Sequence, residues 1–294
     1  MAAPHEGSPW ALVYQGKVIA SRKADQTVPW WSFTKTILAA SALRLVAKGL
    51  LTLDEPVSSK GYTLRHLLQH RAGLPDYGGL SAYHEAVERQ DLPWTFAEIA
   101  DRCDAERLRY EPGHGWAYSN IGYALVARLI KETSRTRLDS ALRGLVFDPL
   151  TIESARVAEN AADLQGVQMG QADWYHPGWV YHGLVVGTVA DAALLLDRLL
   201  STQFLSVELL EELRSAHFLP GPVPGRSWLK PGYGLGVMAG ETTKGEVIGH
   251  TGGGPGSSIA VYRSLANTGL TAALVRFGDD AGPTEEEAFG LIGV

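Results

Sequence analysis

Residues 33–48 put an apolar side chain on nearly every face of a helix. Ile37, Leu38, Ala39, Ala40, Ala42, Leu43, Leu45 and Val46 leave little surface for water. A helix that is apolar all round is stable only when other elements surround it. The chain must therefore fold around this segment, and Gly49 is placed to end it. The shell comes from protein rather than lipid, because no stretch approaches the roughly 18 apolar residues of a membrane span. At about 150 residues per domain, 294 residues allow two domains or one large one. A hydrophobic fraction of 45% with 20% charged residues is globular, which excludes a disordered, collagen-like or coiled-coil chain.

The pattern on either side of the central helix changes period. Residues 10–14 and 17–21 are short apolar segments around Gln15-Gly16 and predict a β-hairpin. From about 63 to 200 the pattern is mostly helical, with N-caps expected at Thr63 and Thr188 and helix spacing over 121–133, 190–200 and 207–215. Pro/Gly clusters at 219–225 and 230–232 predict a linker. Beyond it, 233–238, 247–250, 258–263 and 270–277 predict strands, and a last helix starts near Pro283-Thr284-Glu285. That order predicts an α+β protein. A sheet domain is built from 1–60 and 185–294, and a mostly helical domain, 61–184, is inserted.

Charge and cysteine use narrow the partners. The formal net charge is −6, from 26 Lys+Arg against 32 Asp+Glu, and there is no basic run. Neither a nucleic acid nor a membrane surface is an expected partner. The single cysteine, Cys103, forms no internal disulfide and reads as a small packed hydrophobe. Met1 to Ser8 contain no Lys, no Arg and no apolar core, so the expected location is cytoplasmic, or periplasmic if a leader has been removed.

Three constellations carry chemistry. In Ser32-Phe33-Thr34-Lys35, positions three apart share a helix face, so the hydroxyl and the amine can meet. Serine needs a base to become a nucleophile. Lysine can be that base if burial lowers its pKa from ~10.4 to ~7, a change of about 4.6 kcal/mol. The helix N-terminus adds backbone N–H groups for an oxyanion. In Tyr118-Ser119-Asn120 an extended turn points the phenol and the carboxamide the same way. The phenol can relay protons if a cation lowers its pKa, and the amide can hold Lys35 or a substrate carbonyl. The third is His250-Thr251-Gly252-Gly253-Gly254-Pro255-Gly256, at a strand end, where glycines admit a substrate close to the backbone. It lacks the Gly-Lys-Ser/Thr of a phosphate loop.

Together, in this order, these segments resemble the serine β-lactamase-like hydrolases, in the branch that holds class C β-lactamases, D-stereospecific peptidases and many carboxylesterases. The matching motifs are Ser-x-x-Lys, Tyr-x-Asn and Lys/His-x-Gly. The segment from Thr63 to Pro75, the Glu111-Pro112-Gly113 lead-in and the stretch from Gly183 to Asp191 are similar to the same branch. The resemblance implies an antiparallel sheet flanked by helices. It implies Ser32 as the acylated nucleophile, Lys35 and Tyr118 sharing the proton work, and Asn120 orienting Lys35 and substrate. It places His250, Thr251, Gly252 and Gly253 on the far wall, with the N–H groups of Ser32 and Gly253 as oxyanion hole. No cofactor or metal is implied.

The expected function is hydrolysis of carboxylic esters or small amides through an acyl-enzyme. Alternatives are a β-lactamase or D-Ala-D-Ala carboxypeptidase, an acyltransferase using the same acyl-enzyme, and an acylating sensor. His250 stands where the family's β-lactamases usually carry lysine, and the N-terminal portion is short for the family. A neutral imidazole offers a substrate carboxylate no fixed counter-charge, which favours esters. His66, His70 and His114 read as structural. His176 and His182 lie in an aromatic cluster that lines either the acyl pocket or the core. Glu285-Glu286-Glu287 reads as a charged first helical turn.

Overall fold

The computed structural model describes residues 5–200, 203–266, 269–278 and 280–293. Met1-Ala2-Ala3-Pro4, where the N-terminal reading begins, lie outside them. Strands β1 (Trp10–Tyr14) and β2 (Lys17–Arg22) form a hairpin whose turn, Gln15-Gly16, has positive φ at both residues. Strand β3 (Thr27–Pro29) leads through a 3₁₀ turn (Trp31–Phe33) into helix α1 (Thr34–Ala47). The helices α2 (Leu64–Leu68), α3 (Ser81–Glu88), α4 (Phe96–Arg102), α5 (Asn120–Ser134) and α6 (Leu138–Leu142) follow. Then come β4 (Arg156–Ala158), β5 (Leu184–Thr188), α7 (Val189–Leu199) and α8 (Val207–Arg214). The chain continues as β6 (His217–Phe218), β7 (Trp228–Tyr233), β8 (Met238–Thr242), β9 (Gly245–Gly254), β10 (Ser257–Ser264), β11 (Thr271–Phe277) and α9 (Ala281–Leu291).

The large sheet is antiparallel throughout, in the order β2-β1-β11-β10-β9-β8-β7-β6. Both faces are covered, and alternation along the strands decides which residue meets which helix. On β10, Ile259 and Val261 join the core around α1 and α7, while Ala260 and Tyr262 pack with Phe289 of α9. The Tyr262 and Phe289 rings meet edge-on at 4.9 Å, a pairing worth about 0.5–1.5 kcal/mol beyond area. Helix α1 runs through the middle as its composition requires, with residues 34–43 all buried. Gly49, at φ 68°, ends it. Thr63 and Thr188 cap α2 and α7, and in the first case His66 closes the capping box from its side chain. Cys103 is half-buried against the core at the end of α4.

Two expectations fail between 230 and 238. Lys230-Pro231-Gly232 lie within β7 rather than in a linker. Pro231 is tolerated because β7 lies next to the sheet edge and pairs irregularly with β8. Of the strand expected over 233–238, only the end residues Tyr233 and Met238 are in strands, and residues 234–237 form the turn from β7 to β8. The turn reads as apolar because it is buried: Leu235 and Val237 are inaccessible, and the Gly236 carbonyl accepts from the Thr36 hydroxyl of α1 at 2.7 Å.

A second, three-stranded sheet runs β3-β5-β4. It fixes the entry to α1. The Trp30 N–H donates to the Val185 carbonyl at 2.8 Å, the Trp30 indole to the Gly187 carbonyl at 3.2 Å, and the Val185 N–H to the Thr34 hydroxyl at 3.1 Å. Strand β5 is thereby laced to both sides of the Ser32 turn.

Candidate active site

Ser32 sits on the 3₁₀ turn that opens α1 and is partly exposed. The residue before it, Trp31, holds φ 41°, a left-handed backbone that costs about 1–3 kcal/mol for a non-glycine. Its ring is locked by a 3.0 Å bond to the Ser257 hydroxyl and by an edge contact with Tyr175. Strand β9 comes so close to this turn that only glycine fits. A Cβ at Gly252 would lie 2.6 Å from the Trp30 carbonyl and 2.8 Å from the Ser32 nitrogen. Gly253 is exposed beside Ser32 in the cleft.

Two groups converge on the Ser32 hydroxyl: Lys35 Nζ at 3.0 Å and Tyr118 Oη at 2.9 Å. Lys35 is fully buried and bonds Asn120 Oδ1 at 2.8 Å. Burial lowers its pKa to about 7, against the opposing pull of the Asp76 carboxylate. The same burial pushes the Tyr118 phenol well above the usual tyrosine range, and its bond to Ser32 opposes this only in part. Tyr118 is therefore a phenol at neutral pH, and the condition set for it from the sequence, a cation lowering its pKa, is not met. The local fold explains the placement. Ser119 caps α5 by accepting from the Gly122 N–H at 3.0 Å and donates to the Pro75 carbonyl at 2.6 Å. Asp76 accepts the Asn120 N–H at 2.8 Å. His70 accepts the Ser119 N–H at 3.1 Å and lays its ring 4.2 Å from that of Tyr118. Its structural reading holds, at the edge of the site.

His250 is 1% exposed, and both its ring nitrogens are occupied. Nδ1 lies 2.7 Å from the Thr251 carbonyl, which only accepts, so Nδ1 carries the proton. Nε2 then accepts from Tyr233 Oη at 2.8 Å. Burial, with the nearby Lys35 cation, lowers its pKa to about 3, so it stays neutral at any working pH. The Thr251 hydroxyl is also committed, to the Glu285 carboxylate and to Tyr262 Oη.

Glu285 corrects the sequence reading. It is fully buried under the sheet rather than part of a solvated turn, and only Glu286 of the three is exposed. Arg226 pairs with it, its Nε at 2.7 Å, and the Trp228 indole donates at 3.3 Å. Pairing is what permits burial. A run of three acids on a helix carries no sign of which one turns inward.

His182 is the second residue that sequence distance concealed. It lies 147 positions from Lys35, yet its Nε2 is 3.3 Å from Lys35 Nζ. His176, by contrast, caps a 3₁₀ turn away from this cleft. The cleft holds a cavity of about 200 Å³ walled by Trp31, Tyr77, Tyr83, Tyr175 and Val180, and no lysine or arginine is among its described lining residues.

A serine, a buried amine, a phenol and a carboxamide at the mouth of a large antiparallel sheet define the class of serine β-lactamase-like proteins. The chain belongs to the Beta-lactamase family, whose model matches residues 5–288. It is 26% identical over 274 residues to penicillin-binding protein 4* of Bacillus subtilis (strain 168), covering 80% of this chain and 57% of that one. It is 30% identical over 141 residues to esterase EstB of Burkholderia gladioli, covering 40% and 35%. The chain thus spans about half the length, or less, of these curated relatives. Among solved structures, the D-amino acid amidase of Ochrobactrum anthropi SV3 superposes with TM-score 0.78 at 24% identity, covering 97% of this chain and 92% of that one. A D-stereospecific amidohydrolase from Streptomyces sp. gives 0.79 at 23%, covering 98% and 94%. No helix among the described residues is long and apolar enough to cross a membrane.

Proposed function

We propose that the protein is a serine hydrolase that cleaves carboxylic esters or small amides through an acyl-enzyme on Ser32. The observation that carries this is the Ser32 hydroxyl held between Lys35 Nζ at 3.0 Å and Tyr118 Oη at 2.9 Å, with the amine's pKa near 7. Neutral Lys35 takes the Ser32 proton as Oγ attacks the substrate carbonyl. The Ser32 and Gly253 N–H groups receive the oxyanion. Tyr118 gives its proton to the leaving alkoxide or amine and is re-protonated from the Lys35 ammonium. Water then enters the vacated place and reverses the sequence. An esterase among the relatives and amidases among the structural neighbours support the reading.

Within this proposal, neutral esters are preferred over β-lactams and over peptides with a terminal carboxylate. No lysine or arginine is among the described cleft-lining residues, the buried His250 behind them is neutral, and the guanidinium felt at Tyr118 and His250, Arg226, is already paired with Glu285, so a substrate carboxylate finds no unpaired counter-charge. The penicillin-binding relative keeps the β-lactamase and carboxypeptidase reading as the alternative. Capture of the acyl group by an alcohol or amine uses the same residues. A cytoplasmic working place is part of the proposal and is tested by cell fractionation.

The test is hydrolysis of a short-chain p-nitrophenyl ester against nitrocefin, with intact mass to read the adduct. We expect an acyl group on Ser32 that Ser32→Ala abolishes. The ester should exceed nitrocefin in kcat/KM by about 10²-fold or more, roughly 3 kcal/mol of transition-state preference. The ester profile should rise through pH 7 as Lys35 loses its proton and then stay level, because Tyr118 remains protonated. Turnover by Ser32→Ala, or nitrocefin matching the ester, sinks the reading.

A further inference from the structure

The Lys35 amine has a third neighbour that the proposed mechanism does not use. His182 is 2% exposed, and its Nε2 faces Lys35 Nζ at 3.3 Å. It lies two residues before β5, the strand laced to Trp30 and Thr34 on both sides of the Ser32 turn, so its place relative to Lys35 is anchored by that hydrogen-bonded ladder. Its other ring nitrogen, Nδ1, is buried without a partner among the described residues, so no second bond there dictates the ring's tautomer.

Counting hydrogens on Lys35 shows what the contact does. A neutral amine has two N–H bonds and one lone pair. Asn120 Oδ1 takes one N–H at 2.8 Å. If His182 Nε2 takes the other, the lone pair is left pointing at the remaining neighbour, the Ser32 hydroxyl at 3.0 Å. Without that second acceptor the amine is free to turn about its Cε–Nζ bond. An imidazole is suited to the place because it accepts a hydrogen bond while bringing no negative charge. A carboxylate there would hold Lys35 protonated.

We propose that His182 is a positioning residue for the general base: with its proton on Nδ1, it accepts from Lys35 through Nε2 and aims the amine's lone pair at Ser32. The inference rests on the reading of Ser32 and Lys35 given above. The titratable and charged groups around the pair are Asp76 beyond α2, His70 after α2, His250 of β9, and Tyr118 and Tyr123, whose ring centroids lie 4.9 and 5.5 Å from Lys35 Nζ. Burial holds His182 well below the ordinary histidine pKa, with the Lys35 cation and the two other histidines adding to the effect, so it stays neutral beside Lys35.

Three variants and one spectrum test it. His182→Leu removes the acceptor, and the rate of Ser32 acylation by a p-nitrophenyl ester should fall about 10- to 100-fold, less than the loss of the general base itself. His182→Gln restores an acceptor and should recover most of that loss. His182→Glu should move the midpoint of the rising pH limb up by at least one unit, a shift that a space-filling role does not produce. Where His182→Leu fails to fold, the Gln and Glu variants decide. In the wild type, ¹⁵N-histidine NMR at pH 8, assigned against His182→Gln, should show a neutral His182 with its proton on Nδ1. A proton on Nε2, a folded Leu variant that acylates at the wild-type rate, or a Glu variant with an unmoved limb overturns the inference. Failure of the wild type to acylate overturns the functional reading instead, while the tautomer measurement still tests the contact.

Discussion

At the residue scale, Lys35 is where function and stability conflict. Its native pKa of about 7 lies below the ordinary 10.5, so between those values the unfolded chain binds more protons than the folded one. Stability therefore rises with pH across that window, and the burden of the buried ammonium is full below pH 7. Near pH 7 the shift corresponds to about 4 kcal/mol, from 1.36 kcal/mol per unit. Lys35→Met keeps the volume and removes the charge. It should be inactive, yet more stable in urea unfolding at pH 7 by up to about 4 kcal/mol, less the hydrogen bonds lost to Ser32 and Asn120. The gain should shrink to under about 1 kcal/mol at pH 10, within about half a unit of the unfolded pKa, where most of the window has been crossed. A gain over wild type that is no larger at pH 7 than at pH 10 would show that Lys35 is not desolvated.

At the element scale, the approach of β9 to the Ser32 turn is set by missing side chains. A methyl at Gly252 meets backbone atoms of Trp30 and Ser32 that cannot rotate away. Gly252→Ala should cost about 1–3 kcal/mol in urea unfolding, as for an overpacked core. It should also lower ester kcat/KM by more than about 10², because a displacement of about 1 Å at the reacting centre suffices. Wild-type activity in that variant would mean that β9 does not bear on the turn. Local signals were enough for the elements with their own caps or period: the hairpin at Gln15-Gly16, α1, the caps at Thr63 and Thr188, and the strands from β9 onward. Ser-x-x-Lys and Tyr-x-Asn were legible because each is short. What local sequence does not encode is which face a residue turns to once distant segments pack. Leu235 and Val237 looked like a strand although they line a buried turn. His182 and Glu285 looked like cluster and surface, because their partners lie far away in the chain.

At the scale of the whole molecule, Glu285 ties the last helix to three other segments: Arg226 and Trp228 on one side, and Thr251 and Tyr262 on the sheet. We propose that the chain divides into a sheet domain, 1–60 and 185–294, and a helical domain, 61–184, which share one core around α1, with this knot inside the first. Glu285→Ala strands Arg226 without its partner and should cost about 3–5 kcal/mol in urea unfolding. Arg226→Met combined with Glu285→Leu should recover most of that loss. A single-variant cost below about 1 kcal/mol would place the pair among ordinary surface contacts.

The lacing of β5 to the Ser32 turn also has a consequence in time. The nucleophile is made before Tyr118, His182 and the His250 strand, which follow at long intervals, and among the described residues β3 has no partner strand until residues 184–188 emerge. Until then, Ser32 and Lys35 lie on a segment with neither a ladder to hold the turn nor a wall to dry the amine. An exposed lysine keeps its proton at cellular pH, so the serine stays an ordinary alcohol. Reactivity is thus withheld until those segments have been made, and a synthesis interrupted before residue 184 releases no stray acylating fragment. The cost is slow assembly, since contacts this distant along the chain must close before the local ones become useful.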